Sequence, residues 1–139
     1  MRIRRYMTNT SGAAAVEFAI VSPLFFLALL SMIAYGIYLS AAHSVQQLAA
    51  DAARTAVAGM SDTERKSLVA DFVSRSTIDS AFLDKSKLTM TAQADPTNPN
   101  QFTVALTYDA SNLPIFSLFT YAMPSSQIKR FATVRVGGI

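Results

Sequence analysis

The chain has 139 residues, enough for one small domain, and no cysteine, which excludes a disulfide scaffold and thiolate metal sites. Twelve Lys and Arg against nine Asp and Glu give a formal net charge of +3. Arg2, Arg4 and Arg5 account for that excess, so the remainder is balanced and no nucleic-acid surface is expected.

Those three arginines open the chain, and the 48 residues between Arg5 and Arg54 hold no Lys or Arg and only two acids, Glu17 and Asp51. Within this gap Phe18 to Ala42 is a run of 25 uncharged residues, roughly 37 Å long as a helix and sufficient to cross a bilayer. The arginines before it place residues 1–12 in the cytoplasm, as a basic leader, and the C-terminal domain outside. Tyr35 and Tyr38 then fall near the outer interface. Ser40-Ala41-Ala42 is also a small-residue site of the kind a secretory signal carries, but the apolar run exceeds the ~7–15 residues of such signals.

Past the bilayer Val45, Leu48, Ala49, Ala52 and Ala56 recur at helical spacing, so one helix is predicted over 13–59, with its transmembrane part at about 18–42. Asp51 and Arg54 are spaced to pair on its exposed side, and Gly59 suits a C-cap. Residues 60–139 are expected to form an extracytoplasmic α+β domain. Ser61-Asp62-Thr63-Glu64 has capping-box spacing and starts a second helix, whose apolar stripe Leu68, Val69, Phe72 and Val73 is expected to cover a sheet.

From Leu88 the period changes to two. Leu88, Met90 and Ala92 mark one half-buried strand, and Phe102, Val104, Leu106 and Tyr108 a second. The loop Asp95 to Asn100 between them has the prolines and asparagines of a hairpin, and Ile128 to Val136 predicts a third strand. The fold class is therefore α+β: a long N-terminal transmembrane helix, a second helix and a three-stranded antiparallel sheet. The apolar insertion Leu113 to Pro124 is too short to span a membrane and is either a short buried helix or an exposed contact surface.

Little in the chain suggests catalysis. His43 is the single histidine, most simply a polar residue meeting lipid headgroups, and no nucleophile elbow surrounds a serine. The five glycines form no phosphate cradle, and Asp79 and Asp84 read as ordinary surface charges. No catalytic, metal or cofactor site is expected. Glu17 is the exception that needs a reason, because a carboxylate at the bilayer centre costs roughly 2.5 kcal/mol or more and somewhat less near an interface. The headgroup layer and the positive end of the helix dipole offer one.

The run Ser11-Gly12-Ala13-Ala14-Ala15-Val16-Glu17-Phe18, followed by an apolar helix containing Pro23, resembles a type IV prepilin processing site. It is most similar to TadE-like proteins of the tight-adherence, or Flp-type, pilus system. That resemblance implies a non-enzymatic minor pseudopilin, cut by a prepilin peptidase between Gly12 and Ala13, with Glu17, Phe18 and Pro23 in the assembly helix. In pilins the corresponding glutamate pairs with the N-terminal amine of a neighbouring subunit. The implied setting is the bacterial inner membrane, single-pass, with the domain in the periplasm and later incorporation into a pilus serving cell adhesion. The implied partners are the peptidase, other pilin or pseudopilin subunits, the inner-membrane assembly platform and membrane lipid. A second acid common in the outer part of that family's helix is replaced here by the run Ala34-Tyr35-Gly36-Ile37. The alternative is a single-pass envelope protein with a ligand-binding ectodomain and an uncleaved anchor.

Overall fold

The computed structural model describes residues 10–77, 83–118 and 124–136. The leader arginines, Asp79 and residues 119–123 of the apolar insertion lie outside them. Among the described residues the α-helices and strands follow in the order α1 Thr10–Ala56, α2 Asp62–Arg75, β1 Leu88–Ala94, β2 Gln101–Asp109, α3 Pro114–Leu118 and β3 Gln127–Arg135, with a 3-10 turn at Lys85–Lys87 before β1. The fold is thus α+β, with a long apolar first helix, a second helix and a three-stranded antiparallel sheet in the order β1-β2-β3.

The chain divides into two units, residues 1–35 and 36–139. In the first, α1 presents large apolar side chains all round: Phe18 is 71% exposed, Met32 73% and Leu24 66%. A helix whose large apolar side chains are exposed on every face suits lipid, and its length and composition are those of a single-pass membrane anchor. The helix continues through Pro23. Proline lacks an N–H, so the Ala19 carbonyl loses its i+4 donor there. Ser31 Oγ donates to the Leu27 carbonyl at 2.6 Å, a local bond that keeps the hydroxyl satisfied without water.

In the second unit the same helix changes character. Ala41, Ala42, Val45, Leu48, Ala49, Ala52, Ala53 and Ala56 are buried along one stripe of it, while His43, Gln47 and Arg54 stay exposed. Alanine at these positions lets neighbouring elements approach the helix backbone closely and costs no side-chain entropy. Asp51 and Arg54 do pair, at 2.6 Å, on the exposed side, where such a bridge contributes less than about 1 kcal/mol.

The helix ends at Ala56, three residues before the glycine expected to cap it, and Val57, Ala58 and Gly59 wind on with N–H donation to carbonyls three residues back. Gly59 serves a different purpose. A β-carbon there would lie 2.7 Å from Arg65 Cγ and 2.9 Å from the Arg65 backbone nitrogen, so the missing side chain is what lets the first turn of α2 close against the connection. The capping box forms with a shift in register: Glu64 N–H donates to Ser61 Oγ at 3.3 Å, but the Glu64 carboxylate accepts from the Met60 N–H, at 2.8 Å, rather than from Ser61.

The sheet alternates as its sequence predicts. Phe102, Val104, Leu106 and Tyr108 of β2 are buried. They lie opposite Ala94, Ala92, Met90 and Leu88 on β1 and Val134, Ala132, Arg130 and Ile128 on β3. The other face is threonine-rich, with Thr103 and Thr133 sharing a hydroxyl bond of 2.8 Å. The stripe on α2 is inward as expected, with Val69 fully buried, and α2 meets the sheet at β1. Cover for the sheet comes from α1 as well: Gln46 Nε2 donates to the Phe131 carbonyl of β3 at 3.2 Å, and Tyr38 Oη to the Ser125 carbonyl at 3.3 Å. Of the two readings of the apolar insertion, its described part takes the first. Leu113 and Ile115 are buried around the short α3, and Phe116 meets the Tyr38 ring edge-on at 6.3 Å.

Candidate functional site

The residues singled out in the sequence lie together on the first turns of α1. Gly12, Ala13, Glu17, Phe18 and Pro23 are all helical and all exposed. A β-carbon added at Gly12 would meet nothing within 4 Å. Ala13 and Glu17, four apart, stack on one face of the helix, and Phe18 stands beside them with 71% of its surface exposed. Glu17 therefore projects from a segment whose neighbours Val16 and Ile20 are more than half exposed. No Lys or Arg follows it for 36 residues, until Arg54. The helix itself supplies this carboxylate with no cation.

The bond between Gly12 and Ala13 sits inside the helix, which begins at Thr10. Gly12 is the third residue of that helix, in the first turn, where the backbone N–H groups have no intrahelical acceptor.

The carboxylates of the second unit do structural work. Asp84 is held below its ordinary value chiefly by the Ser86 hydroxyl at 2.7 Å, with the Ser86 N–H second. Asp95 is lowered by the Thr97 hydroxyl and then the Thr97 and Asn98 amides, which fold the β1–β2 loop. Asp109 is lowered first by the Ser111 N–H, at 3.0 Å. Each closes a turn two residues on, the ordinary business of aspartate in a loop. Among the described residues no group of three or more His, Asp or Glu is placed to hold a metal. A polar groove of about 180 Å³ between α1 and α2, lined by Ser44, Gln47, Asp51 and Phe72 among others, brings together no reactive set.

Sequence reasoning missed two features. Arg130 falls on the inward face of β3, opposite Leu106, where its neighbours in the alternation are Ile128 and Ala132. The signal was present, since Arg130 shares the parity of those residues. Gly59 as a packing notch had no such signal, because a glycine after a helix reads as a cap whichever role it has.

Residues 12–54 match the family model of TadE-like protein. The match begins at Gly12 and ends at Arg54, covering α1 nearly to its end and none of the sheet. No curated protein and no solved structure matches the chain. The likeness to TadE-like protein is thus one of the first helix, over less than a third of the chain.

Proposed function

Taking as premise that the chain is TadE-like over residues 12–54, we propose that it is a minor pilin-like subunit of a tight-adherence pilus. In this reading it waits in the bacterial inner membrane with its N-terminus cytoplasmic and its α+β domain periplasmic. A prepilin peptidase then cuts between Gly12 and Ala13, and the first helix packs with other pilin or pseudopilin subunits on the assembly platform.

The observation that carries the proposal is the isolation of Glu17 on an exposed apolar helix with no cation between Arg5 and Arg54. Cutting after Gly12 converts the neutral Ala13 amide into an ammonium, whose ordinary pKa of about 7.7–8.0 keeps much of it charged at neutral pH. A neighbouring subunit's new N-terminus then offers Glu17 the partner its own helix lacks. Pairing offsets part of the cost of holding a carboxylate away from water, and only one axial register brings the two charges together.

Mass spectrometry of the chain extracted from membranes should find an N-terminus at Ala13. An intact Met1 start in cells that make the pilus would leave the uncleaved-anchor reading in its place. Glu17→Ala should insert and be cleaved normally but fail to co-purify with the other subunits. Undiminished co-assembly of that variant would remove the electrostatic role.

A further inference from the structure

A sheet of three strands has two edges, and in this domain they are unlike. Asp95 N–H donates to the Gln101 carbonyl, and Val136 N–H to the Asn100 carbonyl, which fixes the groups each edge presents. In β1 the odd-numbered residues bond to β2, and Leu88, Met90, Ala92 and Ala94 turn their backbone groups outward. In β3 the outward set is Lys129, Phe131, Thr133 and Arg135. The β3 edge is guarded. It carries Lys129, Arg130 and Arg135 and no acid, and the outward carbonyls of Lys129 and Phe131 already accept from Arg130 and Gln46. Charge and occupied backbone groups are the devices that keep an edge from pairing with other chains.

β1 has neither. Its run LTMTAQA holds no charge and no proline, and it pairs with β2 without a bulge. The Leu88 N–H donates to the Lys85 carbonyl, but the Leu88 carbonyl and both backbone groups of Met90, Ala92 and Ala94 have no hydrogen-bond partner among the described residues. α2 meets β1 without bonding to that edge. The inward side chains of β1 are only half-buried, whereas those of β2 beside them are fully buried.

Set antiparallel to a second copy about Thr91, this strand complements itself. Thr91 meets Thr91 on the outer face, while on the inner face Leu88 and Met90 meet Ala94 and Ala92 of the partner subunit, large against small. About six backbone hydrogen bonds join the two strands. The ends fix the register, because Lys87, the residue before β1, comes opposite Asp95 of the partner subunit, the residue after it. Lys87 lies near Asp84 and Asp109 but forms an ion pair with neither. Asp95 accepts from Thr97 and Asn98 through Oδ1, and its Oδ2 takes no bond among the described residues. A slip of two residues in either direction sets Lys87 against Gln93 or Thr97 instead.

We propose that β1 is a self-association edge, through which two copies of this chain join their sheets into one, with Lys87 bound to Asp95 of the partner subunit at each end. The pairing uses the α+β domain alone and holds whether or not the chain is cut after Gly12.

The chain has no cysteine of its own, so single cysteines in the full chain, oxidised mildly in detergent, read the register. Thr91→Cys should cross-link into a dimer, since directly opposed residues have β-carbons about 4.5–5.5 Å apart, close to the reach of a disulfide. Thr89→Cys lies four residues, roughly 13 Å along the strand, from its own counterpart, and Thr133→Cys stands on the guarded edge. Each should cross-link at least tenfold less, whereas Thr89→Cys and Gln93→Cys chains mixed together should cross-link to one another. Absence of a Thr91→Cys dimer would overturn the proposal, and equal yields at positions 89, 91 and 133 would mean random collision and overturn it as well. Within the Thr91→Cys chain, Met90→Pro removes an outward N–H and spares the ladder to β2, and Lys87→Glu sets like charges at both ends. Either change should lower the dimer yield roughly tenfold. An undiminished dimer in the first would overturn the backbone pairing, and in the second the charged ends.

Discussion

One helix meets two environments, and its two halves solve opposite problems. Up to Tyr35 the large side chains are outermost and little of the surface is covered, whereas from Ala41 to Ala56 the covered residues are mostly alanines. In water the first pattern would be an aggregation hazard, and in lipid it is the ordinary condition of a span. The second pattern is that of a helix packed against a folded domain at short range. The lesson is that hydrophobicity alone does not mark a core. Phe25 is far more apolar than Ala49, yet Phe25 is 62% exposed and Ala49 fully buried.

Substitutions of one kind made in both halves or units should therefore give unequal results. The largest difference is expected for phenylalanine. Phe102→Ala empties a fully buried position in β2 and should lower the stability of the α+β domain by about 3–5 kcal/mol. Phe25→Ala should leave that domain's unfolding midpoint unchanged. Enlargement reverses the logic. Ala49→Leu forces extra methylenes into the packed stripe, a cost of about 1–3 kcal/mol, while Ala28→Leu on the exposed half should be neutral or improve retention in the membrane. Thermal unfolding of the α+β domain, followed by near-ultraviolet circular dichroism in detergent, reads both pairs. Smaller still is Ser61→Ala, which removes the Oγ acceptor for Glu64 N–H and should cost about 1 kcal/mol. Membrane extraction should not change with it.

The weakest expected effect is that of acid, and it too falls on one unit. Asp84, Asp95 and Asp109 all lie beyond α1, and their folded-state pKa values are lowered by hydrogen bonds. Their contribution is therefore fully present above the unfolded-state value of about 3.9 and is lost as pH falls through the lowered folded value. Stability of the α+β domain from this source should be flat from pH 7 to about 5 and decline only below about 4, with retention of the span in lipid unaffected. A marked decline between pH 7 and 5 would point to a group other than these three.

Much of this architecture is legible from local pattern, because local physics decides it. The uncharged run before His43, the serine three before Glu64 and the alternation from Phe102 to Tyr108 each report a constraint acting over a few residues. What escaped depends on partners distant in sequence. Gly59 is needed because Arg65 comes close, and no rule of spacing anticipates the missing 2.7 Å. Arg130 reads as a solvated charge until β3 is set against α1. The insertion from Leu113 to Pro124 stayed ambiguous for a similar reason: twelve apolar residues carry no sign of which of them will be covered. At the candidate site the grouping of Gly12, Glu17 and Pro23 was visible at once, since it is a matter of spacing on one helix.

The ties between α1 and β3 also set an order of events. Tyr38 bonds to a carbonyl 87 residues later, and Gln46 to one 85 residues later. Such distant contacts come late and slowly in folding. During synthesis the helix therefore exists long before the strand that completes its cover, and throughout that interval its alanine stripe is open to other chains. The nascent chain is thus most adhesive until β3 emerges, and pairing of that strand is the step that closes the stripe to unwanted company.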